Sequence, residues 1–196
     1  NANLISWIVA GVAVVVLACI AINQYVIKPK ALEASNENAK AVAYFMNGDF
    51  DKALNGDDAE CLGFEAIAEE YSRYQEGKLA ALYAGICYYE KGEYETAAEF
   101  ISQFDADDLT IAPAASQLLG DAYVELQDYD KAVKAYKAAA ASKNDLIAPM
   151  SLKKLGILYL TQENKEEAKK TFEIIKNEYP TSSEAQEIDK YIAVAE

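Results

Sequence analysis

Hydrophobic and polar residues follow two different patterns along the chain. From Ile5 to Ile22 the run ISWIVAGVAVVVLACIAI contains no charged residue, which reaches the length needed to cross a membrane as a helix. Farther along, apolar residues return at helical spacing, as at Leu119, Ala122 and Leu126. Short polar links such as QDYD separate these segments. The pattern predicts one apolar helix followed by a series of amphipathic helices.

One set of residues recurs through the amphipathic part. Gly85, Gly120 and Gly156 lie 35 and 36 residues apart, and a tyrosine follows each glycine after three residues. An alanine lies twelve residues after each glycine, and a bulky residue lies four residues beyond that alanine. The bulky residues are Ile101, Tyr136 and Phe172. This unit of small and large positions resembles the tetratricopeptide repeat, a pair of antiparallel helices.

A single helix pair cannot bury its apolar stripe, so neighbouring pairs must stack. We therefore predict an all-α fold, with an N-terminal transmembrane helix, a tetratricopeptide-repeat α-solenoid of about four helix pairs and a C-terminal capping helix. The first copy places Ala41 and Tyr44 at the glycine and tyrosine positions. An insertion of about seven residues within NGDDAECLG interrupts its second helix.

These patterns divide the chain into three parts. The anchor and its exit linker take residues 1–30, and a capping helix that Ser182 or Ser183 begins takes residues 182–196. The repeat domain takes residues 31–181, with repeats at about 34–78 including the insertion, 78–112, 113–148 and 149–181.

The apolar N-terminal run is interpreted as a membrane anchor. Trp7 and Tyr25 lie about 27 Å apart along a helix, close to the hydrocarbon thickness, and aromatic residues favour membrane interfaces. A cleaved signal peptide usually has a shorter apolar core. Lys28 and Lys30 complete the expected interface and favour cytoplasmic repeats. The positive-inside rule also counts the basic residues that precede a span, so Lys28 and Lys30 alone leave the orientation open.

Charge and composition narrow the possible functions. The chain has 18 basic and 32 acidic residues, for a net charge of −14, which argues against nucleic acid as a partner. The acidic surface serves either solubility or attraction to basic partners. The chain has no histidine, which excludes histidine-based catalytic triads and histidine zinc ligands.

Candidate catalytic residues are few. The acidic pairs Asp57-Asp58, Glu69-Glu70 and Asp107-Asp108 are interpreted as solvated surface, and no phosphate-binding glycine loop is present. Cys19, Cys61 and Cys87 show no CxxC spacing. Cys87 is predicted to be a core residue, and a Cys61–Cys87 disulfide remains an open alternative. We expect a protein that is not an enzyme and has no cofactor or metal.

The whole chain also resembles a narrower group. The segments LNGD at 54–57, LGF at 62–64, YAGICYY at 83–89 and DKYIA at 189–193 are similar to single-span tetratricopeptide proteins related to the ancillary subunit of the bacterial SecYEG translocon, in the form found in Bacteroidetes. The resemblance implies a single-pass inner-membrane protein with periplasmic repeats. It also implies an accessory translocon subunit whose repeats bind chaperones, folding factors or emerging chains. The alternative is a structural scaffold of envelope or division machinery that binds no client chains.

The repeat geometry predicts which residues line a partner-binding groove. First-helix residues at fixed offsets from the glycine position face the concave side, where an amphipathic or basic segment would bind between apolar side chains and an acidic rim. Alternatively, the C-terminal helix or the inserted loop packs there. The predicted lining is Val42, Phe45, Met46, Leu82, Ile86, Tyr89, Glu90, Gln117, Asp121, Val124, Glu125, Met150, Lys153, Ile157 and Leu160.

Overall fold

The computed structural model describes residues 2–57, 61–106 and 108–196, and in the first helix it omits the side chains of residues 2–6 and 9. All regular secondary-structure elements in these ranges are helices, which confirms the predicted fold class. The helices are α1 (Ala2–Ile22), α2 (Lys28–Met46), α3 (Phe50–Asn55), α4 (Gly63–Glu70), α5 (Gln75–Glu90), α6 (Tyr94–Ile101), α7 (Ile111–Glu125), α8 (Tyr129–Ala141), α9 (Ile147–Thr161), α10 (Lys165–Glu178) and α11 (Ile188–Val194).

The chain forms two compact units, and the boundary between them falls after Ala80, within α5. In the N-terminal unit, a π-helical turn at Asn23–Ile27 joins α1 to α2, so the segment expected to be an exit linker is helical. Helix α2 packs against α3 and α4. Ala34, Ala41 and the side chain of Phe64 are fully buried in this unit.

The second helix of the first repeat is split into α3 and α4. Gly56 and Gly63 bound the intervening loop with φ values of 80° and 74°, which glycine adopts readily. The prediction that Asp57 belongs to the solvated surface is wrong. It is half-buried, its carboxylate accepts hydrogen bonds from the Tyr44 hydroxyl and the Cys61 N–H, and the first of these bonds raises the pKa of Tyr44 to about 12. Residues 58–60 of the insertion lie outside the described residues.

In the C-terminal unit, the described helices pack in sequence order. Helix α6 packs on α7, α7 on α8, α8 on α9 and α9 on α10. The core between the later helices contains Ala132, Tyr136, Ala148, Leu152, Leu155, Leu158, Tyr159, Ala168, Phe172, Ile175, Tyr179, Ile188 and Ala195. Cys87 is fully buried as predicted, and burial raises the pKa of its thiol to about 12. All three cysteines are free thiols.

The repeated glycines sit where two helices of a pair come closest. A Cβ placed on Gly120 would lie 2.5 Å from the Tyr136 ring, and one on Gly156 would lie 2.3 Å from the Phe172 ring. At Gly85 the nearest atom would be in the Ile101 side chain, at 2.5 Å. The small and bulky positions of the sequence pattern are therefore direct contact partners.

The turns between paired helices also share one geometry. The residue two places before each second helix has a positive φ, and the next residue is Asp, Glu or Asn. Asp49, Asp128 and Asn164 each accept a hydrogen bond from a backbone N–H in the first turn of the following helix. The positive-φ residues at these four turns are Gly48, Gly92, Gln127 and Glu163.

The C-terminal segment covers the end of the last helix pair. The Ser182 hydroxyl accepts a hydrogen bond from the Ala185 N–H at 3.2 Å and begins a 3-10 turn at Glu184–Glu187. Helix α11 then packs on α10, where the Tyr191 ring lies 5.4 Å from that of Phe172. This segment takes the place of the predicted capping helix, but its α-helix begins at Ile188 and not at Ser182 or Ser183.

We predict that Gly156→Ala destabilises the protein although alanine favours helices. The helix propensity gain is about 1 kcal/mol, whereas the added methyl overpacks against the Phe172 ring at a cost of about 1–3 kcal/mol. Urea unfolding of the full chain in detergent measures the change. Combining Gly156→Ala with Phe172→Leu is expected to cost less than the sum of the single changes, because the smaller side chain makes room. Simple additivity would contradict the contact.

We predict that Gln127→Gly stabilises the protein by about 0.5–1 kcal/mol, because a non-glycine residue is strained in the left-handed region. Gln127 has a φ of 58°. The reciprocal change, Gly92→Gln, introduces the same strain at a turn with a φ of 78° and is expected to lower the unfolding midpoint. Midpoints that move in the same direction for both variants would contradict this reading of the turns.

Candidate protein-binding surface

Most predicted groove residues of the C-terminal unit are at least partly accessible. Ile157 is 37% exposed, and Glu90 and Glu125 are exposed. The half-buried members are Ile86, Tyr89, Gln117, Asp121, Val124, Met150, Lys153 and Leu160. These residues and the exposed ones lie on α5, α7 and α9, the first helices of their pairs, and we call them the first-helix face.

Three predicted residues play a different part from the one expected. Leu82 is only 6% exposed and belongs to the core, so it is not available to a partner. Gln117 accepts a hydrogen bond at 2.9 Å from the hydroxyl of Ser151, which is fully buried. Lys153 donates to the carboxylate of Glu187 in the C-terminal segment. The offset rule places these residues on the right helices but does not show their partners.

The strongest polar cluster of the first-helix face surrounds Asp121. Lys154 Nζ lies 2.7 Å and 2.6 Å from its two carboxylate oxygens, and the Tyr136 hydroxyl donates to Oδ1 at 2.6 Å. Burial, followed by this hydrogen bond, raises the pKa of Tyr136 well above its usual range. Asp121 is therefore paired within the protein and adds little free negative charge to the rim.

The exposed acidic residues of this face lie close to Tyr89. Burial raises the pKa of Tyr89, and the nearby negative charges of Asp121 and Glu125 raise it further. Tyr89 also packs edge-on against Tyr94, with ring centroids 5.3 Å apart. The predicted aromatic and acidic residues of the second and third repeats thus share one electrostatic environment.

A cleft of ≈ 290 Å³ opens beside the Asp121 cluster. Its apolar wall contains Val124, Ile157 and Leu158. Its remaining lining is Asp121, Tyr129, Tyr136, Lys154 and Thr161. Sequence reasoning missed Lys154, which lies two residues before Gly156, because the contact that positions it comes from the preceding repeat.

A second cleft lies between α8, α9 and α10 and is larger, at ≈ 490 Å³. None of its lining residues belongs to the predicted groove. They are Lys137, Ala140, Ala141, Lys143, Leu152, Leu155, Tyr159, Glu167, Lys170, Thr171, Ile174, Glu178 and Tyr179. Ile174 is 38% exposed there, close to the value for Ile157 in the first cleft, so the pair provides a matched comparison.

In the N-terminal unit, Val42 and Phe45 are half-buried and Met46 is 76% exposed. The Phe45 ring contacts the rings of Phe50 and Phe64 at centroid distances of 5.8 Å and 6.4 Å. Phe45 therefore contributes to packing, while Met46 is available to a partner.

The described residues of the acidic pairs are either exposed to solvent or hydrogen-bonded to the protein. Glu69 and Glu70 are exposed, and Asp107 lies outside the described residues. Asp108 accepts hydrogen bonds from the N–H groups of Thr110 and Ile111, which lower its pKa. Within the described ranges, no group of three or more potential metal ligands is present.

The described side chains of the apolar N-terminal helix α1 are exposed. The continuous helix from Ala10 to Met46 contains a stretch of mean hydropathy 2.2, none of which is buried. The helix is long and apolar enough to cross a membrane. An N-terminal signal sequence meets the same two criteria of length and composition. Trp7 and Tyr25 are 78% and 80% exposed, and Lys28 donates to Gln24 at 3.0 Å.

Stacked antiparallel helix pairs with small residues at their crossings define a tetratricopeptide-type α-solenoid. Residues 118–183 match the model of the tetratricopeptide repeat family. The chain is similar to the crystal structure of MamA, with 20% identity, 79% of this chain and 91% of that chain covered and a TM-score of 0.58. A search of curated proteins gave no match.

A second similar structure is a putative kinesin light chain from Podosopora anserina with nearly identical repeats of the same type. Its identity is 15%, with 84% of this chain and 86% of that chain covered and a TM-score of 0.62. At these identities the similarity establishes the fold. Solenoids of this class commonly present extended surfaces to protein partners, and they are typically non-catalytic scaffolds.

We predict that Glu187 couples the C-terminal cap to α9 in a pH-dependent way. Hydrogen bonds from Lys153 and Lys190 lower the pKa of Glu187 to about 2. A lowered folded-state pKa means that its contribution to stability is complete above the ordinary value of 4.5 and is lost as the pH falls through about 2. The stability difference between wild type and Glu187→Gln should therefore shrink over this interval.

Thermal unfolding at several pH values measures that difference. Glu178→Gln removes an exposed carboxylate from the same unit and serves as the control. A difference between wild type and Glu187→Gln that stays constant from neutral pH to pH about 2 would contradict the coupling.

Proposed function

We propose that the protein is a single-span, membrane-anchored, non-catalytic adaptor whose repeats bind a protein segment. One observation carries this proposal: the exposed apolar helix continues through the π-helical turn into α2, the first helix of the repeats. A helix this apolar is unfavourable in water and is stable in a bilayer. The repeats would then be held at the membrane surface.

The first-helix face supports an amphipathic or basic segment as the ligand. Its cleft combines the apolar side chains of Val124 and Ile157 with the nearby exposed carboxylate of Glu125. None of the residues lining this cleft comes from beyond Thr161, so the C-terminal cap does not fill it. Glu187 of the cap accepts a hydrogen bond from Lys153, a residue of the first-helix face on α9. This contact supports the idea that the cap covers only the α9 end of the face.

The resemblance of the sequence to single-span tetratricopeptide proteins related to the ancillary SecYEG subunit supports a more specific proposal. The adaptor would be an accessory subunit of the SecYEG translocon in the bacterial inner membrane, with periplasmic repeats that bind chaperones, folding factors or emerging chains. Lys28 and Lys30 favour the opposite orientation by the positive-inside rule, so the orientation rests on the resemblance. A scaffold of envelope or division machinery is the second candidate, and it uses the same anchor and face.

Purification in mild detergent through a C-terminal tag tests the finer proposal. We expect translocon subunits to co-purify in stoichiometric amounts with the full chain and with a variant that lacks the repeats. They should be lost when an unrelated span replaces residues 4–27. Recovery of envelope-assembly proteins without any translocon subunit would favour the scaffold and overturn the translocon assignment.

We predict that Ile157→Lys weakens binding of the soluble partner about tenfold or more, because it places a positive charge in the proposed apolar contact. The matched control is Ile174→Lys, which makes the same change at an equally exposed position in the second cleft. Co-purification of the soluble partner measures the effect, together with translocon recovery as a check on the anchor. Equal losses in both variants would contradict binding at the first-helix face.

A further inference from the structure

The turn between α4 and α5 lies beside the start of α2. Tyr71, at the end of α4, is 2% exposed, and the Lys30 ammonium lies 5.6 Å from the centre of its ring. Lys30 also pairs with Glu33 at 2.9 Å. The turn that follows, residues 72–74, thus begins at the end of α2 that connects to the apolar helix.

Two contacts give the height of this turn above the proposed membrane interface. The helix rises about 1.5 Å per residue, so Lys30 lies about 8 Å beyond Tyr25 and Asn38 lies about 20 Å beyond it. Lys30 contacts Tyr71, and the Asn38 side chain donates to the Glu76 carbonyl at 2.8 Å. The chain therefore enters the turn beside Lys30 and enters α5 beside Asn38. The level of Lys30, beside which the turn begins, lies at the outer edge of the headgroup layer, which extends about 5–8 Å beyond the hydrocarbon.

The chemistry of the turn suits a phospholipid surface. Arg73 is exposed and is the only arginine in the sequence. A guanidinium binds phosphate through paired hydrogen bonds, and Lys28 and Lys30 add two ammonium groups at the same end. Glu33 is paired with Lys30, and the exposed Glu69 and Glu70 at the end of α4 are opposing charges nearby.

We propose that Arg73, together with Lys28 and Lys30, binds phospholipid phosphates and holds the first repeat against the membrane. This inference rests on the proposed membrane anchor. It adds a second membrane contact outside the apolar helix, and it restricts tilting of the N-terminal unit because the anchor helix and the turn contact the bilayer at separate points.

Fluorescence quenching in vesicles tests the proposal. The full chain carries Cys19→Ser, so that only an added cysteine is exposed, and a dye is attached at Ser72→Cys in the turn or at Asn47→Cys beyond the far end of α2. The vesicles contain phosphatidylcholine, phosphatidylglycerol and a lipid with a nitroxide on its headgroup. We expect strong quenching at position 72 and little at position 47, which lies about 33 Å from Tyr25 along the helix.

Charge variants then identify the group responsible. Arg73→Gln should reduce quenching at position 72 towards the level at position 47, whereas Arg73→Lys should retain most of it because the positive charge remains. Equal quenching at the two positions, or quenching that does not depend on Arg73, would overturn the proposal. Failure of the protein to float with the vesicles would instead overturn the anchor and with it this second contact.

Discussion

The last three repeats depend on the contact between a glycine of the first helix, in α5, α7 and α9, and a bulky side chain of its partner helix. Because Gly120 has no Cβ, the Tyr136 ring lies directly on the α7 backbone. In this position the ring's hydroxyl donates a hydrogen bond to Asp121, the residue after Gly120. Asp121 in turn pairs with Lys154 of the next first helix. One packing contact therefore positions the main polar cluster of the first-helix face.

The same contact explains why the repeats are alike in fold and different in surface chemistry. Phe172 and Ile101 occupy the position of Tyr136 but have no hydroxyl, so they cannot make the corresponding hydrogen bond. The third repeat is thus the one that combines the close packing with a bond to the neighbouring carboxylate. A repeat pattern fixes the backbone, while single atoms at its fixed positions decide what each repeat presents.

This distinction also shows what the sequence was able to predict. The helix pairs, their turns and the capping segment follow from local spacing, because each contact inside a pair joins residues at a constant separation. The partners of Asp57, Gln117 and Lys153 were not predictable from such spacing. Asp57 bonds to Tyr44 across an interrupted repeat, Gln117 to Ser151 and Lys153 to Glu187, in each case through long-range packing. Leu82 fits the groove offsets, but its neighbours bury it.

The junction between the apolar helix and the repeats shows how a break in regular hydrogen bonding can keep a helix continuous. Pro29 has no N–H, so it cannot donate to the carbonyl of Tyr25, four residues earlier. The π-helical turn lies directly before it, and the Lys28 N–H bonds instead to the Asn23 carbonyl, five residues back. The chain thus accommodates the proline by widening one turn.

Farther along the chain, Asn38 joins α2 to the first turn of α5. It is 6% exposed, and its amide nitrogen bonds to the Glu76 carbonyl in the first turn of α5. Its Oδ1 has no hydrogen-bond partner among the described residues, and a buried unpaired oxygen costs about 1–3 kcal/mol. An apolar residue would avoid that cost but would tolerate several rotations of α2. The bond to Glu76 favours one rotation of α2 against the start of α5.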